Sequence, residues 1–511
     1  MPPQYSQNNN LSASKSISTQ PLKNQSWIPY VAIGVILSLG AAIALNITTT
    51  LPQFIILGVV FGLLIAFIIF QSPEAGAYIL IIAVFTNLSD LFTEKGLPSI
   101  TKPLIAIVGL SIFAHYIFKT EKRLELPRLT RIEVALLTYF AVIFVSSLIA
   151  SDRSIAFNSF FDVLKDAAVG LCILITLNTK AKLKTGVAAL ILSVAIISVL
   201  GVYKTFTGTE QTFFGFAQNS AFGQVNESGV LRYGGPIAEA NVWAQVLAAV
   251  LPFSIYQFIK RPEASTKIIM ILSTAFIFLA LLLTQSRGAI LALFFVLPIM
   301  ALEMRINAPT LLFAAAIGLI VLLLVPSQYT ERIKSLQIFF QADPEYGLTQ
   351  DESVAGRREK MLTGLAMFTD RPILGVGFGN YNTNYWDYAG RLGFESGATD
   401  IQGEKGAREP HSLYIEIMSE TGLLGILSFL TFFVLLFSGL YKTRKLILEG
   451  SDKSWSTWIT STAIAILSFL ISGFFLHGIR FRYIWVLIGL ALATIYISKP
   501  TSSNTLEETL Q

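Results

Sequence analysis

Apolar runs of near-uniform length fill the chain at 28–46, 53–70, 75–88, 103–118, 132–150, 163–178, 185–203, 236–258, 268–284, 288–304, 309–325, 411–440, 456–477 and 483–498. Runs of about 20 residues match the thickness of a bilayer core. In lipid, an isolated segment can satisfy its own backbone only as a helix. The pattern therefore predicts an all-α polytopic membrane protein, a multi-span helical bundle of about 12–14 spans. One polar interval is far too long to be a turn, and 326–410 is predicted as one long external loop. The organisation that follows is a disordered cytoplasmic tail at 1–26, N-terminal transmembrane helices over 27–235, and a core over 236–440 that includes the loop. C-terminal transmembrane helices at 441–498 and a second cytoplasmic tail at 499–511 complete it. The first tail is rich in Ser, Gln and Asn and has no apolar core.

Composition narrows the class. Hydrophobic residues make up 53% of the chain and charged residues 14%, where a soluble domain carries about 25% charged. The net charge of +5 is not a nucleic-acid footprint, because no basic patch with interleaved aromatics is gathered on one soluble unit. Cys172 is the single cysteine, so neither a disulfide framework nor a cysteine metal site can form. Charge distribution carries more information than charge total. With the N-terminus placed in the cytoplasm, inner loops and tails hold 19 basic residues and short outer loops hold eight, which is the asymmetry of an N-in, C-in topology.

The basic residues that defy this bias are the candidates. Arg287 sits in the tight outer turn Thr284-Gln285-Ser286-Arg287-Gly288, and Arg232 lies at the mouth of another span. Lys165 and Asp166 lie at the outer start of the sixth span. Ionisable groups at membrane depth are costly and face a cavity or a partner. The long loop adds Arg357 and Arg358 after Gly356, then Asp370-Arg371-Pro372-Ile373-Leu374-Gly375-Val376-Gly377, and ends on Pro410-His411 at the start of an apolar helix. Guanidinium offers phosphate oxygens a planar, permanently charged fork. Histidine is the side chain whose ordinary pKa suits a general base near neutrality. An external cluster of arginines with one histidine therefore suits a diphosphate donor whose leaving group is held by fixed cations. The plainer readings are solvated charges on an amphipathic helix for Arg357 and Arg358, a helix-ending turn at Asp370-Arg371-Pro372, and a capping role for His411. Glu416 and Glu420, four apart on one helical face, suit either an arginine partner or proton transfer.

These stretches resemble the O-antigen ligase and polymerase superfamily. The similarity lies in the Thr284–Gly288 turn, in Gly356-Arg357 continuing to Gly375-Val376-Gly377, and in His411-Ser412-Leu413-Tyr414 continuing to Glu420-Thr421-Gly422-Leu423-Leu424-Gly425. Arg232 with Ala240-Asn241 is similar to the family's pattern ahead of that core. Ser412 stands where many relatives carry Asn. The resemblance implies a glycosyltransferase of the GT-C type that transfers glycan from undecaprenyl diphosphate to an acceptor hydroxyl, with inversion and without metal or other cofactor. It implies diphosphate binding by Arg287 and Arg357, with Arg358 as the competitor for the second role, and acceptor activation by His411. Arg232, Lys165, Arg371 and Glu420 are supporting candidates. The partners implied are a polyprenyl-diphosphate-linked glycan donor, a glycan or lipid-core acceptor and membrane lipid, with no nucleic acid, at the outer face of a bacterial inner membrane. The rivals are a polymerase of the same superfamily, acting in surface polysaccharide biosynthesis, and an anion transporter, for example of bicarbonate.

Overall fold

The computed structural model describes residues 51–118, 129–220, 231–260, 264–303, 352–394, 408–450, 454–476, 478 and 482–498. The first half of the chain forms α1 (Leu51–Gln71), α2 (Pro73–Phe85), α3 (Leu88–Glu94), α4 (Thr101–Ile117), α5 (Arg131–Leu148), α6 (Arg153–Thr176) and α7 (Lys180–Thr207). After a two-stranded antiparallel pair, β1 (Gln218–Asn219) with β2 (Tyr233–Gly235), come α8 (Ala240–Lys260), α9 (Ala264–Leu283) and α10 (Arg287–Glu303). The polar loop contributes α11 (Glu352–Asp370) and α12 (Tyr381–Arg391), and the chain then continues as α13 (Leu413–Glu449), α14 (Ser454–Ser472) and α15 (Arg482–Ile497). The predicted runs 28–46 and 309–325 lie outside the described residues, as do both tails. Each other run coincides with a helix. Five described helices meet both the length and the hydropathy needed to cross a bilayer. The run at 75–88 is a bent pair, α2 and α3 meeting at 57°, because Asn87 takes the left-handed conformation (φ 53°) between them.

Helices that are apolar all round sit innermost. In α15 every residue from Tyr483 to Ile495 is buried, and α7 and α14 are each buried along most of their length. The α6–α15 crossing is held by glycines: a Cβ on Gly170 would lie 2.6 Å from the Trp485 carbonyl oxygen, and one on Gly489 would lie 2.5 Å from that of Gly170. Small residues let membrane helices approach backbone to backbone, since lipid provides no hydrophobic drive between helices. Hydroxyls then bond across interfaces, as Ser468 does to the Ala248 carbonyl at 2.8 Å and Ser111 to that of Ile69 at 2.7 Å. The outer helices expose Phe67, Phe113, Phe294, Phe295 and Val434, the inversion expected of a lipid-facing surface.

The loops at one end of the bundle form a continuous rim. Asn87 donates to the Pro236 carbonyl at 2.9 Å, and Arg232 Nε to that of Thr284 at 2.9 Å. Gly288 packs directly on Phe475, while the Leu413 amide donates to Gly473 and Leu476. Ser151 donates to the Val376 carbonyl at 3.1 Å. At the other end, Lys182 pairs with Glu74, Arg444 with Glu303, and Lys180 lies over the Trp455 ring. These are loops that the charge pattern assigns to the inner side.

Candidate active site

Two rim segments converge on residues 473–478, and each carries a candidate side chain. The first is the α9–α10 turn. Gln285 adopts a left-handed backbone (φ 53°), Thr284 closes the preceding helix through its hydroxyl at 2.6 Å from the Leu281 carbonyl, and α10 then begins at Arg287. A cation at the first helical position faces the positive end of the helix macrodipole. The turn therefore concentrates positive potential, the condition for holding an anion. Arg232 is buried behind it, its Nε bonded to the Thr284 carbonyl and its Nη2 to Asn241 Oδ1 at 2.8 Å. It fixes the turn that presents Arg287.

The second segment begins at His411. Its φ of 51° is unusual for a residue with a side chain and marks stored backbone strain. Ser412 is the N-cap residue of α13, and the Leu413 amide is tied to Gly473 and Leu476. Arg287, next to Gly288, and His411, two residues before Leu413, thus both adjoin the stretch 473–476. His477, which follows that stretch in sequence, lies outside the described residues.

The loop helix α11 lies along the first turn of α13. A Cβ on Gly364 would fall 2.5 Å from Ile415 Cγ2, so the helices touch there. One turn earlier on both strands of chain, Lys360 Nζ meets His411 Nε2 at 3.1 Å. Arg357, three residues before Lys360, shares that helical face. Burial pushes the Lys360 ammonium below the ordinary lysine value, and Arg408 and Arg357 push the same way against Glu359 and Glu409. Lys360, which touches the imidazole, thus sits within electrostatic reach of two further cations. Tyrosines of α12 clamp α11 in place: Tyr381 donates to the Lys360 carbonyl at 2.6 Å, Tyr385 to Glu359 at 2.5 Å, and Tyr388 to Asp370. Burial, followed by the acceptor carboxylates, raises the phenols of Tyr385 and Tyr388, the latter to about 12.

A glycine loop holds the α11–α12 unit to α13. Val376 and Gly377 amides donate to the Ser419 and Glu420 carbonyls, and Leu423 and Leu424 amides donate back to Pro372 and Ile373. This ladder is open to the loop because Gly422 breaks the helix (φ 65°, ψ −159°), a combination that essentially only glycine adopts. Glu420 is buried and accepts from the Gly379 amide at 2.8 Å and the Tyr381 amide at 3.2 Å, so its carboxylate caps α12 from a neighbouring helix. Asn380 exchanges two bonds with the Asp152 backbone, at 2.7 and 3.0 Å.

The sequence-predicted residues divide accordingly. Lys360 touches His411 and lies within electrostatic reach of Arg357, and Arg287 neighbours Gly288, which packs on Phe475. Arg358 is exposed. Arg371 is exposed at the far end of α11, about 20 Å from Arg357 by helical rise. Lys165 belongs to another cluster, bonded to Asp162 at 2.7 Å and 3.8 Å from buried Asp166; Arg482 nearby pairs with Asp90 at 3.1 Å. Glu420 and Arg232 are framework. Lys360 and Arg408 were not predicted. The i, i+3 spacing of Arg357 and Lys360 was the available signal for one; nothing local marked the other.

Residues 272–430 match the family model Wzy_C, described as O-Antigen ligase. No curated protein matches the chain.

Proposed function

On the premise that residues 272–430 form an O-antigen ligase domain and assign this multi-pass membrane protein to that superfamily of glycan-transfer proteins, we propose that it is an inverting glycosyltransferase of the GT-C type. It moves glycan from undecaprenyl diphosphate to an acceptor hydroxyl at the outer face of a bacterial inner membrane, with both termini in the cytoplasm. The observation that carries this reading is the Lys360–His411 contact at 3.1 Å, with Arg357 and Arg408 close enough to act on Lys360.

Arg287 and Arg357 grip the diphosphate oxygens from two sides, each guanidinium able to bond bidentately. His411 takes the proton from the acceptor hydroxyl as the oxygen attacks the anomeric carbon. The carbon–oxygen bond to phosphate breaks, and the departing lipid diphosphate leaves with its negative charge held by the arginines. Because attack comes opposite the leaving group in a single displacement, configuration at that carbon inverts. The cations take over charge neutralisation that many diphosphate-cleaving enzymes assign to a metal ion, which gives a metal-independent reaction. A lipid-core sugar as acceptor makes the protein a ligase of surface polysaccharide biosynthesis, and this is the reading we adopt.

The test uses the purified protein in proteoliposomes with a synthetic polyprenyl-diphosphate glycan and a lipid-core acceptor, with and without chelator, the product's anomeric configuration being read by NMR. Inverted product formed in the presence of chelator is expected. Retained configuration, or dependence on a divalent ion, would overturn the mechanism. Product only when a second lipid-linked unit replaces the lipid core would make it a polymerase.

A further inference from the structure

We propose that Lys360 masks His411 before the donor arrives: its ammonium occupies the imidazole lone pair and keeps the ring neutral, and the donor's diphosphate draws the ammonium away. This rests on the reading of His411 as the base and extends it to a regulatory contact.

A lysine ammonium has three donors and no acceptor. While Lys360 carries its proton, its Nζ at 3.1 Å donates to His411 Nε2; the ring then accepts there, uncharged, with its own proton on Nδ1. That lone pair is the one an acceptor hydroxyl needs. It cannot serve both, so Lys360 has to leave before proton transfer. The nearest stronger attraction is the anion that Arg357 recruits three residues away on the same face. A flexible four-carbon stem lets the ammonium move where a guanidinium fork would be held. Among the described residues, the charged groups acting on Lys360 are Arg357 and Glu359 on α11 and Arg408 and Glu409 ahead of His411; Tyr381 and Tyr385 lie on α12, and Glu416 and Glu420 on α13. Glu420 is committed to backbone amides and Glu416 accepts from the Gly478 amide at 3.1 Å. Tyr381 and Tyr385 donate to α11. Lys360 is thus a group in direct contact with Nε2 that can move.

The chain has three histidines, so ¹⁵N-histidine NMR of the full-length protein in nanodiscs can follow His411, assigned by His411→Gln. Removing a cation at this distance should raise the His411 pKa by about one unit or more, tenfold in proton affinity. We expect that rise in Lys360→Gln and in Lys360→Met, and none in Lys360→Arg, which keeps the charge. Saturating the wild type with inorganic diphosphate, with binding monitored by ³¹P NMR, should move its titration toward the Lys360→Gln value. An unmoved titration in properly folded Lys360→Gln and Lys360→Met overturns the masking. A wild-type titration that ignores bound diphosphate overturns the release. Failure of glycan transfer by the wild type would instead strike the proposed function and leave this titration readable.

Discussion

Glu420→Gln is the substitution that most sharply separates framework from chemistry. The wild-type carboxylate accepts two backbone N–H bonds, from Gly379 at 2.8 Å and Tyr381 at 3.2 Å, in a position with no solvent exposure. Glutamine is isosteric but has one acceptor oxygen, so one amide must face the new NH2 group. Losing a hydrogen bond to a charged group and stranding its donor costs about 1.5–3 kcal/mol. The cost falls on the glycine loop that carries α11 and α12. Opening of that loop should become roughly ten- to a hundredfold more frequent, since each 1.4 kcal/mol is a factor of ten, and cleavage tracks the open population when closing is fast. The assay is limited thermolysin digestion at Ile373 and Leu374, Ile373 being 64% exposed already. Transfer should fall as well, because α11 positions Arg357 and Lys360, yet the mutated residue is held by backbone amides rather than facing His411. Cleavage within twofold of the parent, with transfer lost, would contradict this and make Glu420 a chemical participant.

Other perturbations follow from the same geometry. Gly422→Ala forces a Cβ to 2.4 Å from the Ile373 carbonyl in a conformation costing about 1–3 kcal/mol before the clash; reduced yield of folded protein in detergent is the expected readout. Arg232→Met strips the Thr284 carbonyl and Asn241 of a buried donor, about 1–3 kcal/mol, and should weaken donor binding through the misplaced Arg287 while leaving the acceptor KM unchanged. Lys360 in the folded state releases its proton below the ordinary lysine pKa, so the unfolded chain binds more protons between that depressed value and about 10.5. Stability must then rise with pH across this window, and denaturation of Lys360→Met should show a shallower rise than the parent.

Span positions were legible in the sequence because bilayer thickness and the lack of water impose one length and one secondary structure. The bend at Asn87 was not, since nothing in an apolar run of that length marks a left-handed residue. Within the site, His411 and Arg357 were marked by the resemblance, the plainer readings of their residue types being a helix cap and a solvated charge. The role of Glu420 did not: its i, i+4 relation to Glu416 suggested a shared face and an arginine partner or proton work, whereas Gly422 interrupts the helix and turns the carboxylate's neighbours into loop amides. Arg371 was a supporting candidate in the same polar loop as Arg357. Helical rise separates them, and only an assigned helix reveals that. Lys360 was masked by its charged surroundings, Arg358 and Glu359, which make a solvated surface the plainer expectation until Gly364 is seen packed on Ile415.

The central claim is that one imidazole, fixed at the start of α13 beside the cations of α11, deprotonates the sugar acceptor. Its most direct measurement is the rate of glycan transfer by purified His411→Ala against wild type at equal amounts in proteoliposomes, with donor binding measured in parallel. The account predicts a loss of about 10²–10⁴-fold in kcat with donor affinity retained; transfer at the wild-type rate would contradict it.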